Sequence, residues 1–213
     1  MRKTMLKFGL EKEVFLIDIV SRVPCVVPEK IPHDNEGVQV EFRGSPHECF
    51  TEAVYSLLAN ENVVTRRIEK EYPDTYALLE EPLVLIPKEV KLKARRTYAK
   101  EILHYENIYG HLNHRQKHNE ATAGIHISFT DERIFNYRVH REGFDSSDEF
   151  QYNYPVDFVK YIVALDRAFK VEIKVTKRNP GFYEFKSNGR VEYRSLPNNI
   201  VIDKLIDVVT SVK

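Results

Sequence analysis

The sequence predicts an α+β fold whose antiparallel sheet turns one apolar face toward a core. Three observations lead there. Four strand-like segments each alternate apolar residues with charged or polar ones. Longer segments carry apolar residues at helical spacing. Near the C-terminal end, two strand-like runs flank Asn188-Gly189, the dipeptide of a tight hairpin.

Taken in order, FGLEKEVFLID (8–18) is the first strand. Alternate residues of a strand share a face, so Glu11 and Glu13 point the same way, followed by Phe15 and Ile17. RVPCVV (22–27) reads as a second strand and GVQVEFR (37–43) as a third, with Pro24, Pro28 and Pro32 marking the connections. In the third, Val38, Val40 and Phe42 share one face and Gln39, Glu41 and Arg43 the other. Residues 46–72 read as a helix: Pro46 suits a first turn, and Phe50, Val54, Leu57 and Leu58 keep helical spacing. PLVLIP (82–87) is a short strand between prolines. KEVKLKARRTYAKEIL (88–103) is read as helical, its charges forming a solvated face. HYENIYGHLNHRQKHNE (104–120) has no period and reads as a long loop, with 104–118 in the place of a lid. TAGIHISFT (122–130) is a strand, with Ile125, Ile127 and Phe129 opposite Gly124, His126 and Ser128. Residues 140–154 read as a loop and 156–169 as an amphipathic helix. GFYEFKSNGRVEYRSL (181–196) is the hairpin, with Val191 and Tyr193 opposing Glu192 and Arg194, and residues 200–212 close the chain as a helix.

A chain of 213 residues fits one domain, or one large and one small lobe. With 42% hydrophobic and 30% charged residues it can bury a core and is not disordered. The 32 basic side chains balance 32 acidic ones, so net charge points to neither nucleic acid nor an anionic membrane. No apolar run spans a bilayer, and the N-terminus lacks the apolar core of a signal peptide. Cys25 and Cys49 make no metal or redox motif, and a disulfide between them stays open. The expectation is a soluble protein of a reducing compartment.

If the strands join one sheet, its loaded face gathers Glu11, Glu13, Glu41, His126, Glu192 and Arg194. Clustered carboxylates must shift their pKa values, pair with cations or bind a metal. Carboxylates with an imidazole suit Mg2+ or Mn2+, and Mg2+ often arrives with phosphates, which points to ATP.

The blocks GLEKEVFLID, GVQVEFRGSP, TAGIHISFT and RVEYRSLPNN, in this order, resemble the signatures of glutamine synthetase-like carboxylate–amine ligases, most of all the phage-type amidoligases (COOH–NH2 ligase type 2). The resemblance spans residues 8–199. It implies a curved antiparallel sheet of the glutamine synthetase catalytic-domain type, with helices on the convex side and the site in the concave side. Residues 1–213 would be a single catalytic domain with a lid or insertion at about 88–119. It also implies two or three divalent ions: Glu11 and Glu13 as ligands to different ions, Glu41 as a further ligand, and His126 joining Glu11 and Glu192. Arg194 would contact phosphate or a substrate carboxylate and Arg178 would bind phosphate, the two being the catalytic arginines that stabilise the transferring phosphoryl oxygens. Glu184 stands where the family's hairpin often has an arginine, with Lys186 as the substitute cation on the nucleotide side.

The implied reaction is ATP-dependent amide formation through an acyl phosphate, with small-molecule or peptide carboxylates and amines as partners, in the cytoplasm (the host's, if the gene is a phage's). A free carboxylate is a poor electrophile, and its activation is phosphoryl transfer, in which positioning and charge neutralisation dominate. The amine must lose a proton, and His33, Asp34 and Glu36 lie in the loop considered for its base. Two alternatives stay open. One is a divalent-metal-dependent nuclease using Glu184-Phe185-Lys186. The other is a catalytically inactive nucleotide-binding relative. His111, His114 and His118 have helix-like spacing but no cysteine partners for a zinc site.

Overall fold

A computed structural model describes residues 7–34, 37–97, 105–107, 109, 119–130, 156–185 and 190–211. Its frame is an open seven-stranded sheet, antiparallel at every pairing. The strands are β1 (Lys7–Asp18), β2 (Gln39–Arg43), β3 (Tyr76–Leu79), β5 (Tyr105–Asn107), β7 (Gly124–Thr130), β8 (Phe182–Phe185) and β9 (Val191–Pro197). They run in the order β2-β1-β7-β9-β8-β5. Phe15 of β1 faces Gln39 of β2 on one side and Leu79 of β3 on the other, so β3 continues the β7 edge past the end of β7. A two-stranded sheet pairs β4 (Leu83–Leu85) with β6 (Glu120–Thr122).

Five helices lie among the described residues: α1 (Phe50–Glu71), α2 (Lys88–Thr97), α3 (Val156–Ala168), α4 (Lys170–Val175) and α5 (Ile202–Ser211). The buried residues of α1 (Phe50, Ala53, Val54, Leu57, Val64 and Ile68) keep the three- and four-residue spacing of one helical stripe. They share a core with Leu10, Val14 and Leu16 of β1, with Ile125, Ile127 and Phe129 of β7, and with Tyr193 of β9. Ile162, Leu165, Ile173, Leu205 and Val209 complete that core from α3, α4 and α5. One face of the sheet is therefore apolar and helix-covered; the other carries Glu11 and Glu13 on β1 and, further along the same strand, a second small apolar cluster around Phe15. Lys12 breaks the pattern on the covered face, where its Nζ bonds Glu61 of α1 at 2.8 Å and Glu80 at 3.0 Å.

Four sequence expectations change. RVPCVV forms no strand: Pro24 makes an isolated bridge to Ile17, and a proline has no N–H to give to a ladder. The helix expected from Pro46 begins at Phe50, because His47 exchanges backbone hydrogen bonds with Phe8 at 2.7 and 2.9 Å. Val38 precedes β2 and packs with Phe15, Ile86, Ala121 and Ala123 instead of with Val40. Within the expected lid, Tyr105–Asn107 is strand β5, paired with β8. The expected loop 140–154, the zinc-spaced His111, His114 and His118, the hairpin dipeptide, Glu36 and Lys186 lie outside the described residues. Cys25 and Cys49 are not bonded to each other. Among the described residues no helix is long and apolar enough to cross a membrane.

Candidate metal centre

Strand register gathers the loaded side chains. Glu11 stands opposite His126 in β7 and Arg43 in β2, and Glu13 stands opposite Glu41. Glu192 of β9 faces Ser128 in β7 and Glu184 in β8. Like charges directly opposite each other destabilise a sheet, so the pairs Glu13–Glu41 and Glu184–Glu192 call for cations.

A β-bulge places the arginine. Ile125 pairs with Leu196 and Ile127 with Tyr193, so Arg194 and Ser195 together oppose the single residue His126. The extra residue lets Tyr193 and Leu196 both bury in the core although they are three apart, while Arg194 stays on the acid face.

Among the described residues, three guanidiniums reach the acids. Arg43 Nη2 bonds Glu41 Oε2 at 2.7 Å, and its Nε lies 3.7 Å from Glu11 Oε1. Arg190 Nη2 lies 3.5 Å from Glu11 Oε1 and 3.7 Å from Glu192 Oε2. Arg194 Nη1 bonds Glu192 Oε1 and Glu184 Oε2, the latter at 3.1 Å, and its Nη2 lies 3.5 Å from Glu13 Oε1. Ser128 Oγ donates to Glu192 Oε2 at 3.2 Å. The backbone N–H of Gly124 donates to Glu13 Oε2 at 3.0 Å.

His126 sits at the centre, 1% exposed. Its Nε2 lies 3.5 Å from Glu13 Oε2 and its Nδ1 3.5 Å from Glu192 Oε1, and neither nitrogen has a hydrogen-bond partner among the described residues. Buried polar atoms are almost always hydrogen-bonded, so an imidazole with both nitrogens unmatched needs a reason. A metal ion supplies one: ligand atoms of Glu11, His126 and Glu192 all lie within 4.8 Å of one another. Two carboxylates and an imidazole, with water completing the shell, fit Mg2+ or Mn2+.

Electrostatics divides the E-x-E pair. Burial, reinforced by Glu192 and Glu41, pushes Glu11 up to about 7. Glu13 is held down at about 2; burial works to raise it, but His126, Arg194 and Arg178 outweigh that. In the metal-free protein burial and like charge thus make Glu11 hold its proton more tightly, while Glu13 is a fixed anion.

Arg178 is placed beside this cluster, buried. Its Nε and Nη2 donate to the backbone carbonyl of Arg194 at 3.2 and 2.5 Å, and Nη1 donates to Thr122 Oγ1 at 3.3 Å. The guanidinium packs closely against Gly124: a Cβ there would collide with Nη2 and come within 2.6 Å of Cζ. Asp34, from the loop considered for the base, accepts from the backbone N–H of Gly37 and Gln39 at 2.9 and 3.3 Å. The register brings Glu11, Glu13, Glu41, His126, Glu192 and Arg194 to one face, with Arg178 behind it.

Sequence reasoning passed over Arg190 as a site residue. Its signal is parity, since it lies two residues before Glu192, immediately ahead of β9, and reaches that glutamate. Arg43 and Gly124 share the loaded faces of their strands, but a guanidinium next to a glutamate reads as an ordinary surface pair.

No family model matches the chain, and no curated protein matches it. A solved structure of a bifunctional glutathione synthetase from Pasteurella multocida aligns with 79% of the chain at 17% identity and a TM-score of 0.37. The chain spans 22% of that protein's length. So low a TM-score supports no functional reading.

Proposed function

We propose that the chain is an ATP-dependent carboxylate–amine ligase that forms an amide through an acyl phosphate. In this reading its sheet is of the glutamine synthetase catalytic-domain type, and residues 1–213 act as a single catalytic domain. The observation that carries the proposal is the buried imidazole of His126, unbonded among the described residues and surrounded by carboxylates from different strands. The four sequence blocks in ligase order are the second support.

Glu11, His126 and Glu192 would hold the ion, with Glu13 and Glu41 beside them. A bound divalent ion supplies charge neutralisation to the phosphates of ATP. The protein's own part is positioning. Arg194 presents a fixed positive charge on the same face, and Arg178 holds the Arg194 backbone by two hydrogen bonds, which makes Arg178 a positioning residue. Lys186 is assigned to the nucleotide side. A nuclease would leave the central His126 without a role, so the ligase is the better reading.

Calorimetry with Mg2+ and a non-hydrolysable ATP analogue tests it, on the wild type and on Glu11→Ala. Binding by the wild type alone is expected. Binding by neither protein overturns the proposal. Turnover is then followed as ADP release that requires both a carboxylate and an amine.

A further inference from the structure

We propose that the protein alone holds one divalent cation, at Glu11, His126 and Glu192, and that the Arg194 guanidinium serves as a built-in second cation between Glu13, Glu184 and Glu192. The inference rests on the metal-site reading and departs from the two or three ions that the sequence resemblance implies.

Arg194 touches three carboxylates on three strands: Glu13 at 3.5 Å, Glu184 at 3.1 Å, and Glu192. That is the arrangement a bridging ion would have. The guanidinium is also fixed from behind. The bulge sets its Cα, and Arg178 holds its carbonyl through Nε and Nη2 at 3.2 and 2.5 Å. Its side chain is 13% exposed, so an arriving ion meets it buried among its acids. Arg43 is the contrast: its side chain is 64% exposed, and it can swing off Glu41 into water at little cost.

A second ion held by the same acids would have to displace the Arg194 guanidinium from Glu13, Glu184 and Glu192, and Arg178 adds its own positive charge beside Glu13. Glu13 is engaged on both oxygens already, by Arg194 and by His126 with the Gly124 N–H.

The test is Mn2+ binding to the metal-free full chain without nucleotide, read by electron paramagnetic resonance of free Mn2+ and by calorimetry. One Mn2+ per chain is expected. Two or more would overturn the inference and leave the metal-site reading standing, whereas none would sink both. Arg194→Ala should raise the stoichiometry to two by freeing Glu13 and Glu184, and Arg194→Lys, which keeps the charge, should hold it at one. An alanine variant that is folded by circular dichroism yet still binds a single ion would also overturn the inference. If that variant does not fold, the wild-type stoichiometry decides.

Discussion

Replacing Gly124 by alanine probes whether close packing of Arg178 against β7 supports the site. The new methyl would collide with Arg178 Nη2 and lie 2.6 Å from Cζ and 2.7 Å from the Leu196 carbonyl oxygen. None of these is a van der Waals separation, and the carbonyl belongs to a paired strand that cannot retreat. The guanidinium must move, and it gives up bonds to the Arg194 carbonyl and to Thr122 Oγ1. Overpacking costs about 1–3 kcal/mol, and a hydrogen bond from a charged group contributes about 1.5–3 kcal/mol. With one such bond lost outright, the change is about 4 kcal/mol, a large share of a typical ~5–15 kcal/mol total. For a chain of this size that lowers the melting temperature by about 10 °C. Urea and thermal unfolding followed by circular dichroism measure it. The double variant Gly124→Ala/Arg178→Ala removes one half of the clash, so its loss should fall short of the sum of the single losses by at least about 1 kcal/mol. A Gly124→Ala protein that melts with the wild type, or strictly additive losses, would refute the packing argument.

The same geometry predicts other outcomes. Glu11, raised from 4.5 to about 7, binds a proton on folding. Its contribution to metal-free stability is complete below pH 4.5 and is lost as the pH rises through 7, up to about 3 kcal/mol. Glu11→Gln should therefore stabilise the metal-free protein at about pH 8 in urea titrations, and weaken Mn2+ binding by about 100-fold or more. For the same reason, wild-type Mn2+ affinity should fall about tenfold per pH unit below about 7 and level off above it, measured by calorimetry from about pH 5 to 8. Glu13, held at about 2, has the opposite sign: its stabilisation is present above pH 4.5 and is lost as the pH drops toward 2, so in urea titrations the metal-free wild type should lose stability more steeply across that window than Glu13→Gln does. Tyr193 Oη donates to Asp166 at 2.5 Å in the core, and Tyr193→Phe should cost about 1–3 kcal/mol in thermal unfolding.

Much of this architecture is written in residue alternation. Along β1 and β7 the parity of apolar and loaded side chains assigns each residue to a face, because a buried apolar face tolerates no one-residue slip. α1 is equally legible from its stripe, and the antiparallel pairing of β8 with β9 from the two strand-like runs that the sequence sets close together. Parity fails at the bulge, where one inserted residue puts Leu196 in the core although it alternates with Glu192 and Arg194. It also fails for β3, β5 and β6, which are three or four residues long and too short to show a period. In the site, the acids declare themselves by being charged in apolar strands. Alternation puts Arg194 on the loaded face and Arg190 in step with Glu192, but the carboxylates they pair with include neighbours far away in sequence.

Asp166, buried on α3, accepts from Tyr193 Oη, from Tyr109 Oη at 2.8 Å, and from the Gly181 N–H. Tyr193 separates Glu192 from Arg194, Tyr109 comes two residues after β5, and Gly181 precedes β8. A single carboxylate on the helical side thus moors the acid strand, its hairpin partner and the chain leaving the far edge of the sheet. Slack at any one of these moorings is shared by the other two, which makes the rigidity of the acid strand a property of the opposite side of the molecule.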